Sequence, residues 1–165
     1  VEWADRGQGS GAPINVYDAS SDILTKTTRD DNNKDRLENG NYVETCGNHY
    51  VLLVGDNGDA TPALLTMKAT QLKKSRKWNS MLLNLKLNGK NGLFTPPSYS
   101  HYYRLKTTKE GNDKGNWYGW EVSRESQLED ANLYNVAKSF AESVNKGEVK
   151  VKYEEESSTD QKVPF

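Results

Sequence analysis

Cysteine is almost missing from this 165-residue chain: Cys46 stands alone, so no intrachain disulfide can form. No Asn-x-Ser/Thr sequon is present either, and an intracellular, cytoplasmic location is the expectation. Long apolar runs are missing as well. The longest, "YVLLV" and "MLLNL", are far too short to span a bilayer, so no membrane role is expected. Apolar residues make up only 34% and mean hydropathy is −0.91, which predicts long polar loops around a modest core. Catalytic motifs are also missing. There is no P-loop and no Gly-x-Ser-x-Gly elbow. Two histidines and one cysteine leave few players for nucleophile-plus-base chemistry. The expectation is a protein without catalysis and without a cofactor.

Three partial motifs fail on their own chemistry. "GQGSGA" places Gly7, Gly9 and Ala12 at dinucleotide-binding spacing, but Pro13 and "INVY" follow where a helix is needed. "DNNKDRLENGNY" from Asp31 opens like an EF-hand loop. It then has Arg36 at the glycine position and Tyr42 at the closing glutamate. Cys46, His49 and His101 are too few soft ligands for a zinc site. No metal is therefore expected. A Mg²⁺-dependent nuclease built on Asp30, Asp31 and Asp35 remains a rival reading.

The pattern along the chain is mixed. Residues 2–17 read as two short strands around a glycine-rich loop. "YVETCGNHYVLLVG" has the β-branched and aromatic content of strands. Asn57-Gly58 predicts a hairpin turn leading into "TPALLTMK". Leu72, Met81, Leu82 and Leu85 recur at helical spacing and predict a helix over about 71–87, with Thr70 as N-cap and Gly89 as stop. "HYYRLKTTKEGNDKGNWYGWEVSRE" reads as a hairpin. A second helix over about 130–146 starts at Asp130, ends at Gly147 and shares Leu133, Ala137, Phe140, Ala141 and Val144 on one face. This order predicts a mostly β, β+α fold: an OB-like small barrel with one inserted helix and a C-terminal helix. Residues 1–149 form one domain in this reading, and 150–165 a disordered acidic tail.

The most informative absence is local. Residues 61–109 hold ten Lys and Arg and no Asp or Glu, whereas residues 1–60 hold five basic and eleven acidic side chains. Such a stretch predicts a surface that meets anions. Its cations are interleaved with Trp78, Phe94, Tyr99, Tyr102 and Tyr103, followed by Trp117, Tyr118 and Trp120. A single nucleic-acid strand needs both components: cations neutralise its phosphates and flat rings stack on its unpaired bases. The expected DNA-binding residues are Lys68, Lys73, Lys74, Arg76, Lys77, Trp78, Lys86, Lys90, Tyr102, Arg104, Lys106 and Trp117. Period-2 alternation puts Tyr102, Arg104 and Lys106 on one outward face, with Trp117 outward on the returning strand. Tyr103, Tyr118, Trp120 and Val122 are then expected to face the core.

The chain ends "KYEEESSTDQKVPF". Glu154, Glu155, Glu156 and Asp160 make it acidic, and Pro164 and Phe165 close it beside the terminal carboxylate. Such a tail can rest on a cationic groove as a phosphate mimic, and its aromatic tip suits capture by partner proteins.

With these features together, the sequence resembles bacteriophage single-stranded-DNA-binding proteins. "TQLKKSRKWNSML", "GLFTPPSYSHYYRLKT" and "NDKGNWYGWEV" carry the likeness, along with the Pro-Phe end. The resemblance implies an OB-fold, replication or recombination work without catalysis, and recruitment of replication and recombination proteins by the tail. Sequence-independent binding of single-stranded DNA is the expectation, with a possible homo-oligomer. A β-sandwich that binds carbohydrate or builds the virion is a second rival, and a strand-annealing protein a third.

Overall fold

The computed structural model describes residues 1–5, 11–113 and 115–151. These divide into two compact units, Val1–Thr45 together with Val151, and Cys46–Lys150. The expected domain over 1–149 spans both.

In the first unit four two-residue strands make one antiparallel sheet: β1 (Glu2–Trp3), β2 (Thr28–Arg29), β3 (Asp35–Arg36) and β4 (Tyr42–Val43), in the order β1-β4-β3-β2. Strands this short hold little by ladder bonds alone, and side chains complete the unit. Glu2 is 3% exposed and is the hub. It accepts hydrogen bonds from Asn15 (2.7 Å), Tyr17 and Asn41 (2.6 Å). Asn15 first, then Tyr17 and Asn41, hold its carboxyl down at about 2, against the penalty of burial. The "DNNKDR" loop closes around Asp30, which accepts from the backbone of Asn32 and Lys34 (2.9 Å each) and from Arg36 Nε (2.6 Å). Arg36 reaches Asp5 as well (3.0 Å). The loop predicted to fail as a calcium site is thus a turn whose carboxylate is bound to its own arginine.

The second unit has three hairpins and two helices. β5 (Cys46–Val54) pairs with β6 (Ala60–Lys68), β7 (Leu87–Gly89) with β8 (Gly92–Phe94), and β9 (His101–Asn112) with β10 (Gly115–Gln127). α1 (Leu72–Asn84) follows β6 through a 3-10 turn at Ala69–Gln71, and α2 (Ala131–Asn145) closes the unit. The predicted turn at Asn57-Gly58 is present, with Gly58 at φ +83°. Asp130 caps α2 through its carboxylate, accepting from Asn132 and Leu133 backbone amides (2.8 and 2.9 Å), and Gly147 ends it at φ +71°.

The β+α class stands, but the barrel does not. Among the described residues every strand pair of Cys46–Lys150 joins sequence neighbours, and no sheet closes on itself. An OB barrel needs non-neighbouring strands to pair, and here each hairpin keeps its ladder to itself. α1 also begins one residue later than expected. Its N-cap is Gln71, without a side-chain bond, and Gly89 lies in β7 instead of ending the helix. α1 packs against β5, β6 and β10 and buries Ser75 and Trp78; Met67 of β6 is fully buried. His49 of β5 stacks on Trp78 (centroids 4.5 Å, 20°), and its Nε2 lies 2.9 Å from Ser75 Oγ. Tyr99 meets Tyr134 edge-on at 5.3 Å, tying the turn before β9 to α2.

Candidate nucleic-acid interface

Nine of the ten cations of 61–109 fall into three environments, and Lys68 sits apart on β6. On α1 the inward positions are Leu72, Ser75, Trp78, Met81 and Leu82, at helical spacing, which leaves Lys73, Arg76 and Lys77 on the opposite side. All three are exposed, and among the described residues none is ion-paired. The first turn of α1 has no acidic residue and no side-chain cap. Lys73 and Lys74 lie in this turn, where the positive end of the helix dipole opposes cations. Fold stability alone would favour Asp or Glu at these positions.

Lys74 is the exception on the helix. Its Nζ lies 2.5 Å from Glu110 Oε1, and Trp117 Nε1 donates to the other oxygen of the same carboxylate (3.1 Å). The Lys74 ammonium first, and the Trp117 indole after it, hold Glu110 below the usual carboxylate range. Glu110 lies over Gly119, where an added Cβ would come within 2.5 Å of Oε2 and push the carboxylate off its present place. Gln71 accepts from the Trp120 backbone amide (2.8 Å). Lys74, Trp117 and Gln71 therefore fasten α1 to the hairpin, and the first two leave the set of expected DNA contacts.

The hairpin cations form the second environment. Arg104 Nε lies 3.0 Å from Glu125 Oε1, and Lys106 Nζ 3.6 Å from Glu121 Oε2. Their partners sit on β10, beyond the acid-free stretch, and the antiparallel register brings them across. Between Tyr103↔Arg124 and His101↔Gln127 the register shifts, with three steps on β10 against two on β9. The extra residue is a β-bulge that sets Glu125 and Ser126 opposite Tyr102. A shallow cavity of about 350 Å³ opens there, lined by Tyr102, Tyr103, Arg104, Glu125 and Ser126.

The β7–β8 hairpin is the third environment. Lys86 bonds Thr95, Lys90 sits exposed at the turn, and Phe94 and Leu93 are exposed beside them. Lys68 faces Cys46 across the β5–β6 ladder.

Besides Trp117, two ring assignments change. Trp78 is 5% exposed, packed between His49 and Tyr103 (5.8 Å), and has no surface for a base. Tyr118, expected in the core, is 72% exposed and stands directly across from Lys109. Tyr118 is an exposed ring that strand alternation assigns to the core, and Phe94, counted among the interleaved rings but not among the expected contacts, is exposed as well. Alternation did place Tyr118 and Trp120 on one face. The ribbon is longer than the core beneath it, so the same face is covered at Trp120 and open at Tyr118. The tail residues Glu154, Glu155, Glu156, Asp160, Pro164 and Phe165 lie outside the described residues.

Of the three acids behind the nuclease reading, Asp30 is bound by Arg36 and Asp35 by Arg29 (3.2 Å), while Asp31 is exposed. Among the described residues no helix is long and apolar enough to cross a membrane.

Fold and site together define a small β+α protein with a cation-bearing helix beside a ring-bearing hairpin. Residues 1–150 match the Pam3 phage gp34-like protein family, and the chain belongs to that bacteriophage family. The match covers both units and ends before the Pro-Phe segment. No curated protein matches the chain, and no solved structure matches it.

Proposed function

We propose that this phage protein binds single-stranded DNA without sequence preference, through the unit Cys46–Lys150, during replication or recombination in the host cytoplasm. The observation that carries the reading is the stripe Lys73, Arg76 and Lys77. Three cations share one helix face, unpaired among the described residues, and Lys73 among them lies in the first turn, where the helix dipole disfavours a cation. A strand's phosphates are the counter-charge that makes the placement favourable. Tyr118 beside Lys109, and Phe94 near Lys86 and Lys90, supply exposed rings next to cations, the combination that holds unpaired bases. Binding is stoichiometric coating, without a chemical step. The acidic, Phe-ended tail is proposed to recruit replication and recombination proteins.

Titration of a labelled single strand at two salt concentrations tests this. Affinity falls steeply as salt rises, and an equal-length duplex binds more weakly. Salt-independent affinity contradicts the reading.

One observation favours a second reading, an assembly role in the virion. Tyr50 and Val54 are exposed on one face of β5 and Leu53 on the other, and among the described residues of Cys46–Lys150 the buried apolar side chains are Met67, Trp78 and Ala137. A core this small is typical of chains completed by neighbours. A stable, salt-resistant oligomer that ignores DNA decides for it.

A further inference from the structure

The cavity at the bulge has the parts of a single-nucleotide subsite, and one of those parts is blocked. Tyr102 offers a phenol ring, and Arg104 on the same strand offers a guanidinium. Glu125 holds that guanidinium at 3.0 Å and also accepts from Ser123 Oγ (3.3 Å). Glu125 lies in the bulged part of β10, diagonal to Arg104, whose direct partner across the ladder is Ser123; regular pairing resumes at His101, three positions along β9 from Arg104.

The Arg104–Glu125 pair is exposed, at 68% and 40% of the two side chains, and pairs of this kind contribute little to stability. A carboxylate and a phosphodiester are both planar-fork partners for arginine. Exchanging one for the other therefore costs little. The contrast with Lys74–Glu110 is instructive. That pair is 33% and 23% exposed, and an indole hydrogen bond fixes its carboxylate. It is built to stay closed.

We propose that the bulge cavity takes one unpaired nucleotide of the bound strand, its base against Tyr102 and its phosphate on Arg104, and that Glu125 is a displaceable stand-in for that phosphate. Glu125 masks the arginine in the free protein and swings off when a strand arrives. The inference rests on the single-strand reading and names one subsite within it.

The test uses the full chain and a fluorescent oligo-dT. Glu125→Gln unmasks Arg104 and tightens binding several-fold at low salt. Tyr102→Ala weakens it about 5- to 100-fold, the loss of one stacked base, and Tyr102→Phe restores it. In an Arg104→Gln background the Glu125→Gln gain vanishes. A gain of equal size in that background means general charge removal and overturns the proposal. So does unchanged affinity in both Glu125→Gln and Tyr102→Ala while Lys73→Ala/Arg76→Ala/Lys77→Ala binds poorly; the single-strand reading then survives alone. If the wild-type chain ignores oligo-dT, reading and subsite fall together. Thermal melts of each variant separate lost binding from lost folding.

Discussion

The carboxylates of Val1–Thr45 and the cations of Cys46–Lys150 are used in opposite ways. In the first unit the central acids are closed off internally: Glu2 by three side-chain donors, Asp30 by two amides and an arginine. In the second unit the helix stripe faces outward without partners among the described residues, and the hairpin cations hold weak, exposed ones. Charge that is satisfied inside its own unit does structural work. Charge left open on a surface stays available to an external anion.

The largest effect separates the buried ring from the exposed ones. Trp78→Ala removes the side chain that His49 and Tyr103 pack on, and costs about 3–5 kcal/mol of stability. Urea unfolding followed by circular dichroism reads it. A variant as stable as wild type would place Trp78 outside the core.

Replacing Lys73, Arg76 and Lys77 together by Ala lowers single-strand affinity about 100-fold at low salt. It also reduces the slope of log affinity against log salt by about 2, the share of three phosphates. The melting temperature holds or rises slightly, because the dipole no longer opposes cations. An unchanged salt slope breaks the contrast between open and closed charge.

Tyr118→Ala comes next. It weakens binding by about 1–3 kcal/mol if the ring stacks on a base, and leaves stability within about 0.5 kcal/mol because the ring is exposed. Trp117→Phe behaves in the reverse sense. It loses the indole bond to Glu110, so stability falls while affinity for a strand is kept.

Local features were legible because local chemistry sets them. Gly58 and Gly147 adopt the positive φ that their turns demand, Asp130 caps α2, and the 101–127 hairpin forms where aromatic strands flank a glycine turn. The barrel was not legible, since strand composition reports a wish to pair and says nothing about which edge is used. Charge pairing was hidden for the same reason. An acid-free run looks open along the chain, yet the hairpin sets Glu121 directly across from Lys106, 15 residues away, and Glu125 diagonally beside Arg104, 21 residues away. Trp78 falls at helical spacing with Leu72, Met81 and Leu82 and so shares their inward side, but a ring standing among lysines reads in the sequence as a stacking surface, and so as outward.

The smallest effect tests the closed side of the comparison. Glu2 carries its carboxyl at about 2 in the folded unit, against 4.5 for a free side chain. Between those values the unfolded chain binds a proton that the folded chain refuses, so stability falls as pH drops from about 4.5 toward about 2 and is fully present above that window. Glu2→Gln keeps the shape but loses the charge, and sets an amide donor against one of the three donors that Glu2 satisfies. It costs about 1–2 kcal/mol at neutral pH and flattens the acid limb of the stability curve, measured by unfolding at a series of pH values. Oligo-dT affinity at neutral pH stays at the wild-type value, because a charge that is spent inside its own sheet has nothing left to offer a strand. A variant that bound DNA differently while folding normally would show that the first unit's acids are not closed after all.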